Sequence, residues 1–117
     1  MFENLEVYQK SVDLADKIIN LTEEFPKGYY FLTDQLNRSS LSIATNIAEG
    51  NGRFTKKDRR NFFIIARGSV HECVPLLEIV KRKRWISDIV ISDLFNQLEV
   101  IAKMISRLIS GLEKRKA

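Results

Sequence analysis

The chain has 117 residues, 44% of them hydrophobic and 29% charged, with a net charge of +4; that suits one packed domain and excludes both a two-domain protein and a disordered one. No apolar run approaches the roughly 18 residues of a membrane span. MFENLEVYQK has no signal-peptide layout and the single Cys73 has no disulfide partner, so the cytoplasm is expected.

Residues 5–24 read as a first helix. Leu5, Tyr8, Val12, Ala15 and Ile19 form one apolar stripe, and Val7, Leu14, Ile18 and Leu21 form a second beside it. Pro26 and Gly28 end the helix. Tyr29, Tyr30 and Phe31 follow. Three adjacent aromatics suit the plug of a bundle end, and also a base-stacking platform.

A second helix is expected over residues 33–49, with Thr33 as its N-cap. Leu32, Leu36, Ile43 and Ile47 lie on one side, and Leu41, Ala44 and Ala48 carry the apolar surface further round. A narrow polar stripe holds Gln35, Arg38, Ser42, Thr45 and Glu49. Gly50-Asn51-Gly52 is expected to turn the chain through positive φ.

Thr55 caps a third helix over 56–84, with Asp58 three residues on. Phe62, Ile65, Ala66, Val70, Cys73, Leu77 and Val80 are its expected core stripe. Pro75 lies inside it and predicts a kink around 71–75. Ser87 caps a fourth helix over 88–114. There Leu94, Leu98, Ile101, Ile105, Leu108 and Leu112 repeat at 4, 3, 4, 3, 4, which is a heptad seam. The extra apolar width of the second and fourth helices predicts burial between subunits.

Four helices with short connections predict an all-α, antiparallel up-down-up-down bundle spanning the whole chain. Charge is unevenly placed along it. Residues 1–37 hold 3 Lys/Arg against 7 Asp/Glu, whereas residues 38–84 hold 11 against 4. The bundle topology brings the second turn and the end of the fourth helix to one pole. That pole gathers Arg53, Lys56, Lys57, Arg59, Arg60, Lys114, Arg115 and Lys116, diluted by Glu3, Glu6, Asp58 and Glu113. Lys56 and Lys57 sit in a first helical turn, where the dipole disfavours cations, and phosphate contact is a reason to hold them there. The run Lys81 to Arg84 ends a helix, where cations are stabilising in any case.

No catalytic constellation is legible. Arg38, Asn46, Glu49, Arg67 and Glu72 lie beside apolar faces and read as a structural polar network that registers helices. His71 has no Cys or His partner at zinc-site spacing, so no metal and no cofactor are expected. Ser69 and Cys73 flank it, but at these offsets they make no nucleophile, base and orienter arrangement with any visible third member.

The string from Gln35 to Glu72, QLNRSSLSIATNIAEGNGRFTKKDRRNFFIIARGSVHE, resembles the four-helix bundle family named for proteins encoded in intervening sequences of bacterial 23S ribosomal RNA genes. The resemblance rests on Gln35, Leu36, Arg38, Ser42, Ile43, Asn46 to Gly50, Gly52, Arg53, Ala66, Gly68, Ser69 and Glu72. It implies a left-handed antiparallel bundle that assembles as a homopentamer without enzymatic activity. A related branch comprises accessory proteins of diversity-generating retroelements, which bind nucleic acid and a reverse transcriptase. Two functions are therefore expected to compete. One is a non-catalytic oligomer that binds nucleic acid, RNA first, through its basic pole. The other is a protein-interaction scaffold with a polypeptide partner such as a reverse transcriptase.

Overall fold

The computed structural model describes residues 2–114, all of whose regular structure is helical. Helix α1 runs Phe2–Thr22, α2 Tyr30–Asn51, α3 Lys56–Lys83 and α4 Asp88–Lys114. Each helix packs against its neighbours in sequence, and α4 closes the ring on α1. The helices alternate in direction. Asn4 at the start of α1 donates to Asn51 at the end of α2 (2.9 Å), and Thr22 at the end of α1 meets Asn37 early in α2. The result is a rod of 51 × 23 × 19 Å.

The core follows the apolar periodicity. Val7, Leu14 and Ile18 face inward from α1, while Leu5 and Val12 remain exposed, so the second of the two α1 stripes is the buried one. Leu94, Leu98, Ile101 and Ile105 of the α4 seam are fully buried, joined by Ile91 and Ile109. Phe63, not Phe62, enters the core from α3, and Ile65 is about half exposed. Phe62 instead lies under the guanidinium of Arg53, 4.7 Å from the ring centroid. The α3 helix continues without a break through the exposed Pro75.

Two local expectations are corrected. Helix α2 starts a turn before Thr33: Tyr29 is the N-cap without a side-chain cap, and its carbonyl accepts from both Leu32 and Thr33. Leu32 and Phe25 pack into the same apolar end, which favours helix over loop there despite the weaker cap. The α2–α3 turn uses no positive φ: among the described residues only Gly28 and Arg84 adopt it. Gly50 lies within α2, and Gly52 closes it at φ −88°. At α3 and α4 the expected caps are made: Asp58 N–H donates to Thr55 Oγ1 (3.1 Å) and Val90 N–H to Ser87 Oγ (3.3 Å).

Candidate nucleic-acid interface

At the end of the rod where α2 passes into α3, six of the eight cations expected at the basic pole are described. Gly52 N–H donates back to Ala48 and Glu49, and Arg53 N–H to Gly50, so the chain leaves α2 in a tight turn. Arg53 reaches Glu49 at 2.9 Å while covering Phe62. Lys56 and Lys57 are exposed on the first turn of α3, Arg59 is half-buried one turn on, and Arg60 lies 3.7 Å from Glu113 of α4. Lys114 is exposed at the α4 end. Arg115 and Lys116 lie outside the described residues. The Arg60–Glu113 pair links the two helix ends, and it is half-exposed, so its strength is at most about 1 kcal/mol.

Two further residues belong to this end. Phe54, between Arg53 and Thr55, is completely exposed. Its sequence signal is a phenylalanine off every apolar stripe, in a turn of polar and basic neighbours. Arg107 on α4 shares a recess of about 130 Å³ with Glu3, Asn4, Arg59 and Gly111. The four-residue step from Arg107 to Gly111 puts both on one face, and the glycine leaves the recess open. The Nε of Arg59 is shielded from solvent and has no hydrogen-bond partner. A donor so placed beside a second guanidinium is chemically suited to an anionic oxygen.

The polar residues of the central helices separate into distinct clusters. Glu72 accepts from Gln35 (2.5 Å) and Ser39 (3.0 Å), linking α3 to α2. Ser69 Oγ donates to Ser42 Oγ at 2.8 Å, and Asn46 holds Ser42 through its hydroxyl and carbonyl. Arg67 donates to Ser106 of α4 at 3.3 Å. Glu49 is engaged with Arg53, and Arg38 is exposed and pairs along its own helix with Asp34 at 3.5 Å. The α2–α3 register is thus carried by Gln35, Ser39, Ser42 and Ser69 together with Glu72.

Little here has the chemistry of a reaction centre. Burial, followed by the charge of Glu72, pushes the Cys73 thiol up to about 12, so it stays protonated and unreactive at neutral pH. His71 is exposed on α3. Among the described residues no group of three or more His, Cys, Asp or Glu side chains could hold a metal ion, and no helix is long and apolar enough to cross a membrane.

Comparison with known proteins accords with this geometry. The family model described as 23S rRNA-intervening sequence protein matches residues 3–107. A crystal structure of a protein of unknown function from the S23 ribosomal protein family of Bacteroides thetaiotaomicron superposes with a TM-score of 0.85. It is 25% identical, and the match covers 92% of this chain and 98% of that one. No curated protein matches the sequence.

Proposed function

The chain belongs to the 23S rRNA-intervening sequence protein family, and from that premise we propose that it is a non-catalytic, oligomeric bundle that binds nucleic acid, RNA first, through the α2–α3 end of the rod. The observation that carries the reading is Phe54, a ring held wholly in water in the turn between Arg53 and the exposed Lys56 and Lys57. Burial would stabilise such a ring by about 1.5–3 kcal/mol, and the surrounding cations favour a partner that is both planar and anionic. The Arg59–Arg107 recess offers a phosphate oxygen two guanidinium groups, with Glu3 as the opposing charge. Exposed ion pairs such as Arg53–Glu49 are weak enough for a phosphate to replace.

Several copies would multiply a weak electrostatic site by avidity, and a homopentamer in the cytoplasm is the assembly we propose. The test is a salt titration of binding to structured RNA. Affinity should fall steeply as salt rises, because each phosphate contact releases counterions. Replacing Lys56, Lys57, Arg59 and Arg60 by Glu should abolish binding while helicity is retained, and Phe54→Ala should weaken it. Binding indifferent to salt, or a partner that survives nuclease and high salt, would leave the protein-scaffold reading in its place.

A further inference from the structure

The opposite end of the rod combines cations and exposed rings in a different way. Helix α3 closes with Lys81, Arg82, Lys83 and Arg84, all exposed, and among the described residues none of the four pairs with a carboxylate. Lys83 instead places its ammonium 5.4 Å from the centroid of the Tyr29 ring. Tyr29 is wedged against Trp85, with ring centroids 4.7 Å apart, and Trp85 rests on Phe25 at 5.0 Å. Tyr29 is therefore a fixed support. The next two rings are not buried with it: Tyr30 is 69% exposed and Phe31 74%, with Phe31 6.2 Å from Tyr29.

The helix dipole explains why cations gather at the end of α3, but it does not explain two aromatic side chains left in water beside them. At the start of α2, Tyr29 supplies no side-chain cap, and its carbonyl takes the Leu32 and Thr33 amides of the first turn. The rings of Tyr30 and Phe31 border a shallow surface recess with Thr33, Asp34 and Asn37. The Thr33 hydroxyl and the Asp34 carboxylate next to ring faces match the edges of nucleobases, whereas the Asn37 amide is already bonded to Thr22. The same groups would be costly to bury in lipid, which argues against an anionic membrane as the occupant.

We propose that this end is a second nucleic-acid surface, specific for single strands: Phe31 and Tyr30 stack on unpaired bases while Lys83 and Arg82 hold the flanking phosphates. Duplex bases are already stacked and cannot offer their faces to such rings. The surface lies at the far end of α3 from Phe54 and does not depend on binding at the basic pole. Each molecule then has two contact ends, separated by most of the 51 Å length of the rod.

The experiment uses a labelled oligouridylate of about 12 nucleotides, a duplex of the same length, and vesicles containing anionic lipid. Phe31→Ala and Tyr30→Ala should each weaken oligouridylate binding by about fivefold or more, since one stacked base is worth that much. Duplex binding should be unchanged, and Phe31→Trp should restore the single-strand affinity. Arg82→Gln with Lys83→Gln should lower the salt slope as well as the affinity. The single tryptophan, Trp85, touches this surface through Tyr29, so its emission should respond to oligouridylate even when Lys56, Lys57, Arg59 and Arg60 are all Glu. Loss of the response in that variant, with parental circular dichroism, would overturn an independent second surface. Parental affinity in Phe31→Ala and Tyr30→Ala would overturn it too. So would binding to vesicles without binding to oligouridylate, or a fall in molar mass in either ring variant.

Discussion

Gly50 of α2 and Phe63 of α3 share one volume: a Cβ on Gly50 would lie 2.6 Å from the Phe63 ring. Phe63 is only 1% exposed, so its ring has little freedom to move aside, and the Arg59 carbonyl stands 3.3 Å away on the same side. The glycine is what lets α2 approach α3 at the base of the proposed interface. Gly50→Ala should therefore destabilise the fold, because overpacking of about 1–3 kcal/mol exceeds the gain of about 1 kcal/mol in helix propensity. Thermal denaturation should show a fall of several degrees, and Phe63→Leu in the same background should recover part of it. A raised midpoint in Gly50→Ala would mean that the helices separate freely.

What the sequence announced was mostly periodicity. The α4 seam and the caps at Thr55 and Ser87 are visible because they depend on local spacing and local hydrogen bonds. Gly50 reads as a turn residue in sequence because a glycine packed against a ring and a glycine adopting positive φ look alike in one dimension. The choice between Phe62 and Phe63 failed for a related reason: adjacent aromatics differ by one step of 100°, and only the neighbouring helix decides which enters the core. Among the site residues, the cations of the α2–α3 turn were legible as a cluster. Arg107 was not, because its partner Arg59 is 48 positions away and meets it only through the fold. Phe54 carried a signal, but exposure is a tertiary property that composition cannot show.

Cys73 should behave as a reporter of opening. Its thiol is buried and pushed up to about 12, against an ordinary 9.0. The folded state thus binds the proton more tightly than the unfolded state does. The stability this confers is complete below pH 9.0 and is lost as pH rises from 9.0 towards 12. Alkylation at pH 8 should be slow in the native protein and fast in denaturant, with a rate that follows global unfolding. Prompt alkylation of the native protein would show that α3 opens locally around this position.

Lys17 of α1 and Asp93 of α4 approach to 2.7 Å, the one ion pair among the described residues between those two helices. The hydrogen bond from Lys17, then that from Gln97, holds the Asp93 carboxyl below its ordinary 3.8. A depressed carboxyl stabilises the fold above its unfolded value and ceases to do so as pH falls through the folded one. Asp93→Asn should accordingly lower the melting midpoint slightly at pH 7, and the difference should fade as pH falls below 3.8 and Asp93 protonates in the fold. Both side chains are nearly half exposed, so the neutral-pH difference should shrink as salt is raised. A difference that persists in acid would have to come from packing instead of charge.

The outer face of α3 bears on assembly. Ile65 and Ile79 are 51% and 44% exposed, and Gly68 lies on the same face with nothing within 4 Å of where its Cβ would go. Isolated aliphatic side chains on a surface need no explanation, but two on one helical stripe with a glycine between them suit the close approach of another helix. In the proposed pentamer this stripe is covered by a second copy. Ile65→Arg then buries a guanidinium without a partner and should break the assembly, since an unpaired buried charge costs several kcal/mol. Light scattering should report about five times 13.6 kDa for the parent and close to 13.6 kDa for the variant, with unchanged helicity. Val100 on α4 is exposed to a similar extent, 46%, and offers the comparison. Val100→Arg should leave the mass intact if α3 forms the contact, and should break it if α4 does. A parent that already runs at 13.6 kDa would remove the pentamer and, with it, the avidity on which strong binding by a weak basic end depends.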